Sequence, residues 1–514
     1  MIDLKTLHDR LAATGLLLKK QGALGGVRVD HLARDSRAVG PGGLFVAIRG
    51  EQADGHRFVD RAIQNGAVAV VAEAMPAGDA GAARGGVWLQ VRDSRAALAE
   101  LAAAFYGDPS RALKMVGVTG TNGKTTTAFL IHYLLTRLGV KAGLIGTIVY
   151  DLGAEQREAT HTTPDALDLQ RMLRAMVDAG CTACAMEVSS HALDQERVRA
   201  IDYDVAVFTN LTQDHLDYHG SFGAYLAAKK KLFDGLAPGA TALYNADDPS
   251  GQQVVADTAA RVIRYGQTPG ADLRFEVVSN RVDGLRLRLD GRERTFRLVG
   301  LFNAYNLAAA YGAGCALGVD PEAVLDVLAE APPVPGRFEQ IRFDDGTTVI
   351  VDYAHTPDAL ENVLRTIRHT KSPGAALWCV FGCGGDRDPD KRRLMGALAE
   401  RYADHVIVTS DNPRTEDPEK ILNDIRRGMD RPAEALWIVD RREAIREAAR
   451  RAAPGDVVLV AGKGHETYQI IGTEKLPFDD REEVRRSFAG RGLREAGSAH
   501  VGDELREPRD ETTS

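Results

Sequence analysis

Lys114-Met-Val-Gly-Val-Thr-Gly-Thr-Asn-Gly-Lys-Thr-Thr-Thr-Ala-Phe129 is the stretch that decides the architecture of this chain. Leu113 to Val118 reads as a strand. A glycine loop, Thr119 to Gly123, follows. Phe129, Leu130, Tyr133, Leu134 and Leu138 then repeat at helical spacing. Strand, glycine loop, Lys-Thr and helix in this order make a phosphate cradle, because loop and helix-start N–H groups converge on an anion. Lys124 is placed to neutralise phosphate charge, and Thr125 to reach a metal. The pattern departs from the common one at Val118, where a glycine is usual; Gly117 and Gly120 flank it instead.

Downstream, four apolar runs read as parallel strands: Thr348–Val351, Leu377–Phe381, His405–Thr409 and Asp456–Ala461. Each runs into a polar or glycine cluster: Asp352-Tyr-Ala-His355, Gly382-Cys-Gly-Gly-Asp-Arg-Asp388, Asp411-Asn-Pro-Arg414 and Gly462-Lys-Gly-His-Glu466. Ligands of open α/β sheets bind beyond the carboxyl ends of the strands, so the four clusters are expected to share one site. Nearer the loop, Ala183–Val188 reads as another strand, carrying Glu187 near its end. Asp214, His215, Asp217 and His219 crowd a short span after a further strand. Beside a phosphate loop, Glu187 and His215 are candidates to hold Mg²⁺. Lys229, Lys230 and Lys231 follow on a helix, and the residues alone do not distinguish among them. Cys181/Cys184 and Cys379/Cys383 fall in or beside expected strands and read as buried thiols rather than a zinc site.

The chain has 514 residues, which suggests about three domains. Residues 1–110 are short apolar runs broken by glycines. Residues 111–335 alternate strand and helix around the phosphate loop, 336–490 alternate again, and 491–514 read as a polar tail without fixed structure. The fold class is therefore α/β: a small N-terminal α/β domain, a central P-loop ATPase-like parallel-sheet domain and a C-terminal Rossmann-like domain. With 64 Lys+Arg against 72 Asp+Glu, the net charge of −8 argues against nucleic-acid or anionic-membrane binding. No run is long enough to span a membrane, and Met1–Arg10 lacks a signal-peptide pattern. Five cysteines make no disulfide framework, so the expected compartment is the cytoplasm. A monomer is expected, though no residue pattern argues for it.

Taken together and in order, these motifs resemble the Mur ligases. The resemblance rests on Gly117–Thr126, Glu187-Val-Ser-Ser-His191, Asn210-Leu-Thr-Gln-Asp-His-Leu-Asp217, Gly300-Leu-Phe-Asn-Ala-Tyr-Asn306, Pro335-Gly-Arg-Phe-Glu339 and Asp352-Tyr-Ala-His-Thr-Pro357. It covers roughly residues 30 to 485. The family uses ATP to join an amino acid or peptide to a carboxylate of a UDP-sugar precursor in peptidoglycan synthesis. The resemblance implies that Gly117, Thr119, Gly120, Thr121, Asn122, Gly123, Lys124, Thr125 and Thr126 bind ATP. Asn303, Asn306 and Asp352 would touch its adenine or ribose. It implies Mg²⁺ at Thr125, Glu187, His215 and an N-carboxylated Lys229. Ser36 and Gln52, in Asp35-Ser-Arg37 and Gly50–His56, would hold the uridine end of UDP-MurNAc-L-Ala-D-Glu. Thr162, Thr163, Ser189, Gln195 and Arg197 would hold its muramoyl-peptide part.

Asp411-Asn412-Pro413-Arg414 resembles the signature of those members that take meso-2,6-diaminopimelate rather than L-lysine, with Arg392, Gly462 and Glu466 as further contacts. The physics agrees. Diaminopimelate carries a second zwitterionic head, whose carboxylate suits an arginine fork and whose ammonium suits a carboxylate. A lysine-adding relative has no use for the arginine pair. A folylpolyglutamate synthase has none for the uridine-type N-terminal domain, and a non-ligase P-loop NTPase leaves the C-terminal clusters unexplained.

Overall fold

The computed structural model describes residues 1–50, 53–75, 86–281 and 284–496. Lys114–Thr119 lies at the centre of its sheet, as its continuous apolar character requires. Six parallel strands run in the order Ala142–Ile145, Ala183–Glu187, Lys114–Thr119, Val205–Phe208, Thr241–Asn245 and Arg261–Gly266. Leu273–Arg281, Gly284–Leu289 and Arg292–Phe296 extend the sheet as a meander beyond Arg261–Gly266. The register sets Glu187 beside Val118 and Phe208 beside Thr119, so the chain leaves both neighbouring strands next to the glycine loop.

Helix Lys124–Arg137 packs on one face of this sheet against Leu301–Ala316. The second helix is alanine- and glycine-rich because it must come close: a Cβ on Gly312 would lie 2.3 Å from Leu243, and one on Gly314 2.7 Å from Leu134. Ala166–Asp178 and Phe222–Asp234 cover the other face.

The N-terminal sheet has the order Leu17–Gln21, Val87–Val91, Ala67–Ala72, Gly43–Val46 and His31–Ala33, parallel except for the first pair. The C-terminal sheet has the order Glu339–Arg342, Thr348–Asp352, Val457–Ala461, Leu377–Phe381, His405–Val408 and Leu436–Trp437. Its last five strands are parallel, so the four apolar runs of the sequence lie side by side with their polar ends together. Apolar layers cover both faces. Pairing continues past Gly490: Asp344 N donates to Arg494 O and Ala496 N to Arg342 O. Part of the segment expected to be a free tail therefore belongs to the folded body, and 497–514 lie outside the described residues. Among the described residues no helix is long and apolar enough to cross a membrane. The five cysteines are free thiols, four of them buried.

Candidate active site

The glycine loop takes its shape from its glycines and from the next strand end. Gly120 and Gly123 have φ of 151° and 87°, and a Cβ on them would meet Thr209 Oγ1 at 1.9 Å and Asn306 Oδ1 at 2.5 Å. Thr209 Oγ1 donates to Asn122 O, Asn122 N donates to Asn210 Oδ1 and Thr121 N to Asn210 O, at 2.6, 2.9 and 2.8 Å. No side chain caps the helix that begins at Lys124, which leaves its first N–H groups for an anion. Lys124 Nζ folds back onto the carbonyls of Gly120 and Thr121 (2.9 and 2.8 Å), and burial lowers its pKa.

Glu187 is buried and receives three hydrogen bonds: Thr125 Oγ1 at 2.9 Å, Thr147 N at 2.7 Å and Thr147 Oγ1 at 3.1 Å. Of the three adjacent lysines, only Lys229 is buried. Its Nζ donates to Gly120 O at 2.8 Å and lies 4.4 Å from the Tyr225 ring centroid. Lys230 and Lys231 point outward into ion pairs with Asp234, Asp257, Asp194 and Glu196. Burial, reinforced by the charge of Lys124, pushes the Lys229 amine well below the ordinary lysine range. His215, at φ 54°, lies 3.3 Å from Asp214 Oδ2, and burial lowers its imidazole to about 4. His355 is lowered to about 4 for the same first reason.

A cavity of about 440 Å³ gathers Thr121 to Thr126, Glu187, His215 and Lys229 on one wall. Thr162, Thr163, Ser189 and Arg197 line another part, and Arg337, Tyr353, His355 and Arg387 arrive from the C-terminal sheet. A second cavity, of about 630 Å³, opens against the N-terminal sheet and holds Ser36, Arg37, Arg95 and Gln195. His161 and Arg197 line both, so the two cavities adjoin. Arg197 donates to Thr163 O at 2.9 Å and, through two nitrogens, to Gln195 Oε1. Thr163 Oγ1 donates to Glu187 O, and Ser189 Oγ caps the helix Ser190–Asp194 through Ala192 N. Gln52 lies outside the described residues.

Other expected contacts are turned inward. Gly117 is a packing residue, with room for a Cβ taken by Tyr203 at 2.6 Å. Thr119 is fully buried in its strand. Asn303 and Asn306 are buried behind the loop: Asn303 Nδ2 donates to Val299 O, Asn306 Nδ2 to Asn303 Oδ1, and Thr127 Oγ1 to Asn306 Oδ1. Asp352 accepts from Phe338 N and Ala354 N at 2.6 and 2.7 Å, which spends its carboxylate on its own turn and on the Pro335–Glu339 segment. None of these three lines either cavity.

The four C-terminal strand ends adjoin: Gly462 N donates to Asp352 O at 3.0 Å, Gly385 N to Asn412 O at 2.9 Å, and the Tyr353 and His465 rings lie 5.1 Å apart. Tyr353, His355 and Arg387 face the nucleotide-sized cavity. Asp411–Arg414 and Gly462–Glu466 form a cluster beside it. Asn412 Nδ2 donates to Glu466 Oε2 (2.9 Å), and Lys463 Nζ reaches Asn412 Oδ1 and Glu466 Oε2 (3.0 Å each). A Cβ on Gly462 would lie 2.4 Å from Asp411 Oδ2, and one on Gly385 1.9 Å from Pro413 O. Arg414, at φ 52°, is held through Nη1 to Gly385 O at 2.8 Å. Burial and the neighbouring Asp411 raise the pKa of Glu466.

Arg392 departs from the expectation of a ligand contact. It is 1% exposed and tied to Glu416 and Asp424 at 2.8–3.0 Å, so its charge is neutralised inside the protein. It reaches the cluster only through Gly384 O, at 3.4 Å.

Arg337 lies in the Pro335–Glu339 motif, whose pattern alone assigns it no role. Arg337 Nη2 donates to Thr125 Oγ1 at 3.1 Å, and its guanidinium lies 4.3 Å from the Tyr353 ring centroid. Asp358, whose Oδ2 accepts from Asn122 Nδ2 at 2.7 Å, was also missed, as were Thr147 and Lys463. Arg337 was within the quoted motif. Lys463 stood inside the Gly462–Glu466 cluster; Thr147 and Asp358 had no signal beyond being polar at element ends.

Three family models match the chain: Mur ligase family, catalytic domain over residues 28–106; Mur ligase middle domain over 118–314; and Mur ligase, glutamate ligase domain over 336–464. The chain is 47% identical over 465 residues to a UDP-N-acetylmuramoyl-L-alanyl-D-glutamate--2,6-diaminopimelate ligase of Parabacteroides distasonis, spanning 90% of this chain and 95% of that one. An identically named protein of Geobacillus kaustophilus is 47% identical over 472 residues, with the same two coverages. A solved structure titled with that enzyme name aligns with TM-score 0.66 and 35% identity, covering 92% of this chain and 98% of the other.

Proposed function

The chain belongs to the Mur ligase family, and on that premise we propose that it adds meso-2,6-diaminopimelate to the D-Glu γ-carboxylate of UDP-MurNAc-L-Ala-D-Glu. It is an ATP-dependent ligase. The observation that carries the reading is the meeting of three kinds of surface. The uncapped phosphate loop adjoins a cavity against the N-terminal sheet through Arg197, and Arg414, Asp411 and Glu466 stand at strand ends of the third sheet.

The D-Glu carboxylate oxygen attacks the γ-phosphorus of ATP, and the bond to the ADP oxygen breaks. The loop N–H groups hold the phosphates, and Lys124 swings from Gly120 O and Thr121 O to neutralise them. Arg337, already on Thr125, adds a second positive charge from the C-terminal sheet. The amine of diaminopimelate then attacks the acyl carbon, the C–N bond forms, and phosphate leaves with its oxygen. The nitrogen must lose a proton. His355, neutral at pH 7, lines the cavity as an acceptor. Arg197 and Thr163 position the peptide carboxylate, while Ser36 and Gln195 lie toward the uridine end. Arg414 binds the distal carboxylate, and Asp411 and Glu466 take the distal ammonium.

A divalent ion fits the donors present. Thr125 Oγ1 and a Glu187 oxygen are 2.9 Å apart on the cavity wall, a hydroxyl and a carboxylate of the hard kind that Mg²⁺ takes together with phosphates and water. His215 and Lys229 would complete the set; a depressed lysine amine is the form that adds CO₂ to become a carbamate. When bound, the ion neutralises charge on the phosphates.

Mass spectrometry of the product tests the reading. Incubation with ATP, UDP-MurNAc-L-Ala-D-Glu and meso-diaminopimelate is expected to give the amide adduct, and L-lysine in its place little or none. Equal adducts from both amino acids would refute the assigned pocket.

A further inference from the structure

Beneath the Asp411–Glu466 cluster lies an ion pair that the mechanism above does not use. Arg441 and Asp480 are both 0% exposed as side chains, and Arg441 Nε and Nη2 meet the two Asp480 oxygens at 2.7 Å each. They are the first residues of the helices Arg441–Arg451 and Asp480–Ala489. Two further N–H groups of the guanidinium go to carbonyls: Nη2 to Ala461 O at 2.9 Å and Nη1 to Ser410 O at 3.3 Å.

These carbonyls immediately precede Gly462 and Asp411. They belong to strand ends that are not neighbours, since Leu377–Phe381 separates Val457–Ala461 from His405–Val408. The intervening strand continues as Gly382, which packs directly on the Ser410 turn: a Cβ there would lie 2.2 Å from Thr409 O and 3.0 Å from Asp411 N. Asp411 and Glu466 both stabilise the Arg441 charge, so the fork also offsets the two carboxylates above it.

We infer that Arg441, locked in orientation by Asp480, is a positioning residue for amino-acid specificity. It spans the two turns that face the distal head of the incoming amino acid and sets their separation. A planar fork with one carboxylate on one edge can hold two carbonyls at fixed spacing; a lysine ammonium cannot. This inference rests on the diaminopimelate reading above.

The test is steady-state kinetics of the full chain with each substrate varied in turn. The wild-type chain is measured first. If it does not use meso-diaminopimelate, the functional reading itself fails. Given wild-type activity, Arg441→Lys is expected to raise the diaminopimelate KM at least about tenfold, with the ATP and UDP-substrate KM values within about twofold. Breaking one side of a buried ion pair can unfold a protein, so the double variant Arg441→Met/Asp480→Leu, which removes both charges, is measured alongside with its Tm. It is expected to remain folded and to show the same selective KM rise. Parallel rises in all three KM values, or no change in the diaminopimelate KM, would overturn the inference. So would a double variant that does not fold, because the pair would then be a fold element only.

Discussion

Lys229 shows what a single position gains from three dimensions. In sequence it is one of three consecutive lysines. In the fold it is the buried one, sharing the Gly120 carbonyl with Lys124, while its neighbours pair with surface carboxylates. Its depressed pKa has a working consequence. Only the neutral amine adds CO₂, and the neutral fraction rises as pH climbs through the lowered pKa. We therefore expect the wild-type chain in CO₂-stripped buffer at fixed pH to gain activity when bicarbonate is added. Lys229→Met should lose at least about 100-fold in kcat and show no bicarbonate response. A Met variant with near wild-type turnover would contradict the role. Arg414 and Arg392 make a second contrast. The sequence presented them as a pair, yet Arg392 is sequestered by Glu416 and Asp424 while Arg414 stays at the cluster. Arg414→Ala should raise the diaminopimelate KM about tenfold or more, roughly 1.4 kcal/mol, with the ATP KM nearly unchanged. Equal effects on both would place Arg414 elsewhere.

At the scale of elements, much was legible. Buried parallel strands are continuous apolar runs, and each of the four C-terminal runs ends where its strand ends or within one residue of it. The glycine loop announced its own strand and helix. What was not legible depends on contacts between distant segments. Arg337 meets Thr125, and Asp358 meets Asn122, across more than two hundred residues, and no local pattern encodes such a meeting. Asn303, Asn306 and Asp352 bond to partners nearby in the chain, but which way they face is set by the packing that buries them. The helix Pro357–Thr370 makes this testable. Its second residue, Asp358, ties the C-terminal sheet to the phosphate loop, and burial raises its pKa. Asp358→Ala should release Asn122 and lower kcat several-fold, by about 1 kcal/mol for one such hydrogen bond, whereas Asp358→Asn should retain most of the activity. Pre-steady-state phosphate bursts would locate the loss. An alanine variant indistinguishable from wild type would remove Asp358 from the account.

For the whole molecule, an acidic chain must gather its positive charge where anionic substrates bind. Lys124, Arg197 and Arg337 converge on one cavity, Arg37 and Arg95 line the adjoining one, and Arg414 stands at the third sheet. On the proposed reading each sheet contributes to one reaction: the first would receive the nucleotide-sugar end, the second ATP, the third the amino acid. Asn122–Asp358 and Thr125–Arg337 already join the second and third domains beside the cavity, and an acyl phosphate needs such closure against water. Phosphate release from ATP, with each substrate omitted in turn, tests this division most directly. The account predicts rapid release only when UDP-MurNAc-L-Ala-D-Glu and meso-diaminopimelate are both present. Sustained release from ATP with neither present would contradict it.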